Sequence, residues 1–405
     1  MTPPDDQRPD RTPGLSTALI HHAYRPPAGF EAVMPGVYKA STVVFPDVHA
    51  LRTNDWKDKS GYTYGLHGTP TTFTLEERIA TLEGGRFCVL APSGLSALTL
   101  VDMAFLRQGD EVLLPDNAYG PGKAFAAGEL ARWGITHRFY DPMNPADLAA
   151  RISPATRLVW LEAPGSITLE FPDVPALVAA VRAANAGRER PIVTALDNTW
   201  GAGVAFKAFD LGVDVSMQAL TKYPSGGADV LMGSVVTRDE ALHRAVLLCH
   251  MRLGLGVGAN DAELVLRGLP SMALRYAAQD ATTRALAQWL QPRPGVARVF
   301  HPALPDSPGH DAWRRDAHAA ACLVSVAFEP TIAQQRIDAF CNALRRFRLG
   351  WSWAGPISLC APYHLPAIRT LGCVAPGGLV RFAVGLESLE DLQADLEQAW
   401  HLLLT

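Results

Sequence analysis

Four short stretches carry residue types that could do chemistry. In "SMQALTKYPSGGAD" (216–229) one lysine, Lys222, follows an apolar run and precedes glycines. A lysine at a strand end is ordinarily a solvated ammonium. Held in an apolar place it can instead act as a general base or form an imine with a carbonyl. In "APSGLSALTLV" (91–101) a strand, a turn and a helix start are legible. There the backbone N–H groups of Gly94 and Leu95 would meet an anion through unpaired donors and the helix dipole. The plain alternative is a structural strand-to-helix turn. Asp197 closes "PIVTALD" and precedes "NTWGAG". A carboxylate at the end of a buried run needs a cation or a donor. It either caps the next helix or pairs with a positively charged cofactor atom. In the fourth stretch, Asn117 and Tyr119 follow the apolar run "EVLL" (111–114), offering an aromatic face.

The elements that must position these groups are short apolar runs separated by helical stretches. The runs are "FCVL" (87–90), "EVLL" (111–114), "THRFY" (136–140), "RLVWLE" (157–162), "PIVTALD" (191–197), "GVDVSM" (212–217) and "LMGSVVT" (231–237). Between them, "DVPALVAAVRAANAG" places Val174, Leu177, Val178 and Val181 at helical spacing. Continuous apolar strands alternating with helices predict an α/β domain with a mostly parallel sheet covered on both faces. In such sheets ligands bind beyond the carboxyl ends of the strands. By that rule Ser93-Gly94, Asn117, Tyr119, Asp197 and Thr221-Lys222 converge on one crevice.

From about residue 275 the texture changes. Strand-like "ARVFHP", "CLVSVAFEP" and "LVRFAVGLE" are widely spaced, with helical "TIAQQRIDAFCNALRRF" among them. This predicts a smaller α+β C-terminal domain. The expected division is an N-terminal arm over 1–65, a large domain over 66–270 and a second domain over 271–405.

Composition bounds the rest. The chain has 405 residues, 48% hydrophobic and 19% charged, and a formal net charge of −4. Such a chain is globular and has no basic run to attract nucleic acid. Cys88, Cys249, Cys322, Cys341, Cys360 and Cys373 form no C-x-x-C pair. That supports neither a metal site nor a disulfide framework and suits free thiols in a reducing cytoplasm. "MTPPDDQRPDRTPG" has no apolar core and reads as a loose arm instead of a signal peptide. "FCVLAPSGLSALTLVDMAFL" is interrupted by Pro92-Ser93-Gly94 and carries Asp102, so no membrane span is expected. "GLGVG" (254–258) follows a helical stretch and reads as a loop, not as a dinucleotide site.

Assembled, the groups are an anion site, an acid for a ring nitrogen, an aromatic to stack and a lysine for an imine. Pyridoxal 5'-phosphate needs that set. The chain resembles the Cys/Met-metabolism family of pyridoxal-phosphate enzymes, and within it the cystathionine β-lyase branch. The resemblance lies in "YGLHGTPTTFTLEERIATLEGG", "NAYGPG", "LEAPGSITLEFPDVPALVAAVR", "LDNTWGAGVAFKAFDLGVDVS", "TKY", "HPALPDSPGHDAW" and "SWAG…RFAVGLE", in order from about residue 40 to 400.

The resemblance implies fold type I, the aspartate-aminotransferase-like fold. It also implies roles. Lys222 would hold the cofactor as an imine. Gly94, Leu95 and Thr221 would hold its phosphate, Asp197 its pyridine nitrogen, and Tyr119 would stack on the ring. Arg381 would bind the substrate carboxylate with help from Ser352. Tyr64 would reach the phosphate of a neighbouring subunit in a homotetramer built of active dimers. The implied reaction is β-elimination, cleaving L-cystathionine to homocysteine, pyruvate and ammonia.

Two positions depart from the pattern. Leu66, beside His67, stands where the family usually has an arginine for the phosphate, and Gly227 stands where histidine is common. Alternatives remain a γ-elimination or γ-replacement enzyme, a broader cysteine-S-conjugate lyase or cysteine desulfhydrase, and a non-catalytic relative. A dinucleotide-dependent dehydrogenase is a third class.

Overall fold

The computed structural model describes residues 14–21, 29, 32–59, 61–372, 375 and 377–404. The opening "MTPPDDQRPDRTP" and Cys373 lie outside the described residues. All seven apolar runs are strands: β1 (Phe87–Ala91), β2 (Glu111–Pro115), β3 (Thr136–Tyr140), β4 (Thr156–Glu162), β5 (Val193–Asp197), β6 (Val215–Ala219) and β7 (Gly233–Thr237). They form one sheet in the order β1-β7-β6-β5-β4-β2-β3, parallel throughout except that β7 runs against both neighbours.

Alternation along each strand divides the core between two faces, because successive side chains leave a strand on opposite sides. Val89, Leu158 and Trp160 pack with Leu98 and Val101 of the helix Gly94–Phe105. Leu90, Val159 and Leu161 pack on the other face with Leu75 and Ile79 of the helix Pro70–Glu83. The same face takes Val174, Leu177, Val178 and Val181 of the helix Val174–Ala184, the four residues its spacing picks out.

A second sheet contains β8 (Val296–Phe300), β9 (Leu323–Phe328), β10 (Arg348–Leu349), β11 (Leu359–Tyr363) and β12 (Leu379–Ala383) in the order β10-β11-β12-β9-β8. The expected runs supply β8, β9 and β12, whereas β10 and β11 had no signal in the sequence. Val324, Val326, Phe328, Val380 and Phe382 face a core built with Phe340 and Trp400. Their neighbours Leu323, Ala327, Leu379 and Ala383 face the large-domain core. Ser325 and Arg381, which are register partners, share that second face.

One helix, Ala259–Leu290, runs through the boundary expected at 270–271. Its 32 residues span about 48 Å. Ala262 through Tyr276 pack into the first core, and Leu286, Ala287 and Leu290 pack into the second. "GLGVG" is the loop that precedes it. Among the described residues no helix is long and apolar enough to cross a membrane.

Candidate active site

Lys222 lies in the turn that follows β6. Lys222 N donates to Ala219 O at 3.1 Å, and Gly226 N donates to Lys222 O at 2.9 Å. The long helix fixes this turn from outside. Arg275 donates through Nη2 to Tyr223 O at 2.8 Å and to Gly268 O at 2.9 Å, and the Tyr223 and Tyr276 rings lie 4.3 Å apart. Gly226 has φ +67°, and a Cβ there would come within 2.1 Å of Arg275 Nη1. Only glycine meets both conditions.

The Lys222 amine points into the cleft between the two sheets. Nζ donates to Ser352 Oγ at 2.6 Å and lies 5.4 Å from the Trp353 ring centre. Burial pushes its pKa down to about 8, and the Arg381 charge pushes the same way, against the opposing pull of Cys322 and Asp197. A large share of the amine is therefore neutral near pH 8, the form that can attack a carbonyl or accept a proton.

Asp197 ends β5. Its Oδ1 accepts from Thr199 N at 2.9 Å, and burial raises its pKa. Beneath it, the buried Glu83 accepts from Asn198 Nδ2 and Ser216 Oγ, each at 2.8 Å, and from Gln218 Nε2. These bonds tie the residue after Asp197 to β6. Burial lifts Glu83 to about 7.

Gly94 opens the helix Gly94–Phe105, with Ser93 as its cap: Ser93 Oγ accepts from Ser96 N at 3.0 Å. Gly94 and Leu95 precede the first intrahelical bond, so the helix leaves their N–H groups unpaired and facing its end. The glycine has a further reason. A Cβ on Gly94 would fall 2.5 Å from Ala219 Cβ, so it lets the helix start close against the end of β6. The Thr221 hydroxyl donates to Met232 O at 3.2 Å and accepts from Met232 N at 3.1 Å, pinning the Lys222 turn to the segment before β7.

Arg381 projects from the middle of β12. Its Nη1 donates to Ser166 O at 2.9 Å, and its guanidinium lies 5.4 Å from the Tyr363 ring centre. The Tyr119 phenol feels Asp197 and Arg381, with burial as the larger influence raising its pKa. Its backbone N–H donates to Glu162 Oε2 at 2.8 Å. The sequence-expected Lys222, Asp197, Tyr119, Arg381, Ser352, Gly94 and Thr221 thus gather around one cleft. Leu95 follows at the same helix end.

Tyr64 stands apart. It is 47% exposed, bridges to Thr42 and lies near His67, with no contact to this cleft among the described residues. His67 stacks on Trp56 at 4.5 Å and shares a 2.8 Å hydrogen bond with Thr63 Oγ1, and burial lowers its pKa. It is therefore a weak substitute for a missing arginine. At Gly227 a Cβ would approach Asp229 Oδ1 to 2.5 Å, so a histidine would displace that carboxylate.

Three contributors escaped sequence reasoning. Glu162 ends "RLVWLE" and obeys the same stop rule as Asp197, so that rule could have found it. Trp353, next to Ser352 in "SWAG", reads from the sequence as packing or as a wall of the substrate pocket. Arg369 had no signal. It donates to Asp116 Oδ2 and Glu170 Oε1, each at 3.0 Å, and to Thr168 Oγ1 at 3.0 Å. Asp116 also accepts from the Thr370 hydroxyl at 2.6 Å and from the Leu371 and Thr370 backbones, and these donors with Arg369 hold its pKa down at about 2 despite burial. Asn117, next in the chain, donates to Glu170 Oε2 at 3.1 Å and accepts from Ser166 N at 3.0 Å. The loop 365–371 is thereby clamped to the base of the Tyr119 segment and to the strand-end loop that Arg381 contacts.

The sequence model described as "Cys/Met metabolism PLP-dependent enzyme" matches residues 16–401. The chain belongs to that family. Its members depend on pyridoxal phosphate, and the two-sheet architecture is fold type I. A putative cystathionine beta-lyase of Rhizobium johnstonii is 38% identical over 96% of this chain and 96% of its own length. Cystathionine beta-lyase MetC of Escherichia coli is 37% identical over 95% of this chain and 97% of its own. The crystal structure of metB from Corynebacterium glutamicum superposes with a TM-score of 0.87 at 28% identity, covering 96% of this chain and 98% of that one.

The residues fit the family cofactor. A partly neutral lysine, a buried carboxylate and a helix start with unpaired N–H groups are the donors and acceptors that an aldehyde, a pyridine nitrogen and a phosphate require.

Proposed function

We propose that this pyridoxal-phosphate enzyme is a carbon–sulfur β-lyase that cleaves L-cystathionine to homocysteine, pyruvate and ammonia. The observation that carries the reading is the desolvated Lys222 amine, hydrogen-bonded to Ser352 and within the fields of Asp197 and Arg381. Relatives named cystathionine beta-lyase over nearly the full chain supply the substrate. When bound, the cofactor supplies a ring that accepts the electron pair left as Cα–H breaks. Lys222 removes that proton as its general base. Asp197 keeps the ring nitrogen protonated by a charge-assisted hydrogen bond. Tyr119 stacks, and Gly94 and Leu95 donate to the phosphate while Thr221 fixes the turn beside them. Arg381 pairs with the substrate carboxylate as a planar fork. The Cβ–S bond then breaks, the proton taken up by Lys222 passes to the leaving sulfur, which departs as homocysteine, and water converts the three-carbon remainder to pyruvate and ammonia.

The working unit in this reading is a homotetramer of active dimers, with Tyr64 acting across the subunit boundary and 1–65 as the exchanged arm. Support comes from the exposed apolar side chains of this arm: Val33, Val37, Val44, Val48, Leu51 and Tyr64. Monomers rarely leave such a concentration uncovered. A cytoplasmic location fits the free cysteines Cys88, Cys249, Cys322, Cys341 and Cys360.

The test is to incubate the cofactor-loaded protein with L-cystathionine and identify the keto acid. Pyruvate with homocysteine is expected. 2-Oxobutyrate with cysteine would make it a γ-lyase instead, and no product from any cysteine S-conjugate would leave a non-catalytic relative.

A further inference from the structure

Glu162 ends β4 as Asp197 ends β5, and the two are register partners on adjacent parallel strands. Register partners in a parallel pair send their side chains to the same face. The two carboxyl groups therefore share one strand-end surface with the Lys222 cleft. The charged or titratable groups acting on the pair are Lys222, Lys123 and Arg381, and the phenols of Tyr119 and Tyr140.

Two carboxylates set this close resist ionising together. Their partners decide which one keeps a proton. Asp197 accepts from the Thr199 backbone and from its hydroxyl, two donors that favour the charged form. Among the described residues Glu162 has a single hydrogen-bond donor, Tyr119 N at 2.8 Å, which leaves its other oxygen for a proton. Tyr119 is the residue that opens the helix Gly120–Phe125, and no side chain caps that helix. The Glu162 bond thus holds Tyr119 itself, next to the bonds by which Asn117 ties the preceding residues to Glu170 and Ser166. Burial, with the Asp197 charge second, drives the Glu162 carboxyl well above the usual carboxylate range.

We propose that Glu162 is a positioning residue: as the protonated member of the Glu162–Asp197 pair it holds the Tyr119 backbone through Oε2, leaving Asp197 the charged member. The inference rests on reading Tyr119 and Asp197 as cofactor contacts. It assigns a division of labour between two acids that look alike in the sequence. One acid is charged toward the ring nitrogen. The other is uncharged and structural toward the stacking tyrosine.

Wild type, Glu162→Gln and Glu162→Ala are compared by cofactor dissociation constant, by the pH midpoint of the bound cofactor's visible absorbance, and by kcat and KM. Glutamine keeps an acceptor for Tyr119 N and has no charge. Its cofactor affinity should stay within about twofold of wild type and its absorbance midpoint should not move. Alanine should weaken cofactor binding and raise KM by roughly tenfold each, the loss of one buried hydrogen bond. The proposal is overturned if Glu162→Gln loses as much as Glu162→Ala. It is equally overturned if the Gln midpoint falls by about a pH unit, as removal of a real negative charge beside a cationic imine demands. Should the alanine protein fail to fold, the glutamine titration decides alone. Wild-type cofactor uptake, recorded first, separates the two readings. Its failure would count against the proposed function, whereas a normal wild type beside an unaltered Glu162→Ala protein sinks the role of Glu162 alone.

Discussion

The two sheets deliver their reactive groups in different ways. In the seven-stranded sheet, Glu162 and Asp197 stand at the last residues of β4 and β5, and Lys222 follows β6 by a three-residue step. In the five-stranded sheet the corresponding group, Arg381, sits mid-strand on the face turned toward the large domain. Parallel strands bring all their carboxyl ends to one edge, so a charge there avoids the core without leaving the sheet. Antiparallel strands offer no such common edge, and a charge must come from a face. The opposite face of the same strand is apolar, through Val380 and Phe382. The edge therefore assembles acid and base chemistry, and the face supplies an anchor whose position depends on how the two domains dock.

That distinction is broken or sharpened by four measurements. Lys222→Ala removes the edge amine and should lower kcat/KM by at least ~10³-fold, within the range for a lost general base and nucleophile. Cofactor should no longer be fixed to the chain by borohydride. Retained turnover would show that the edge is not where the chemistry happens.

Arg369→Ala attacks the docking of the face. Asp116 and Glu170 have almost no solvent contact, and removing Arg369 takes from Glu170 its cation among the described residues while Asp116 keeps Lys123 at 3.5 Å. A loss of about 3–5 kcal/mol in urea unfolding is expected for breaking such a group. A loss below about 1 kcal/mol would mean that the domains dock without this clamp.

Arg381→Lys keeps the charge but removes the planar fork. KM for the amino-acid substrate should rise by about 10- to 100-fold, the worth of a charge-assisted bidentate contact, with kcat less affected. A proportional fall in kcat alone would place Arg381 at the reacting atoms and erase the contrast between edge and face.

The smallest effect couples the two sheets. The folded-state Lys222 amine has a pKa of about 8, below the ordinary lysine value. Neutral amine therefore accumulates as pH rises, and the rate at which apoenzyme captures pyridoxal phosphate should climb with a midpoint near 8. The same lowering means the folded chain binds fewer protons than the unfolded one between about 8 and the unfolded value near 10.5, so this group makes folding more favourable as pH rises through that window. Arg381→Leu removes a repelling charge and should move the capture midpoint upward. An unmoved midpoint would separate the two groups electrostatically.

Legibility in the sequence follows the same division. Asp197 and Lys222 are legible because an apolar run stops on them, and Glu162 obeyed that rule although it was not singled out. Arg381 is invisible to it: within "LVRFAVGLE" it is one polar residue in a strand, and only the family resemblance marked it. Arg369 carries no local mark, because its partners Asp116 and Glu170 are about 200 residues or more away in the chain. The resemblance alone put Thr221 on the phosphate, and in the fold its hydroxyl contacts Met232 in the same turn as Lys222.

By itself the sequence determined the alternation of strands and helices, the mostly parallel sheet and the groups gathered at its edge. Those follow from periodicity and from the cost of burying charge, which act over a few residues. The tertiary structure alone decided the lowered basicity of Lys222, the carboxyl pair of Glu162 and Asp197, and the Arg369 clamp. Each depends on desolvation and on charges brought together from distant parts of the chain, quantities that no local pattern contains.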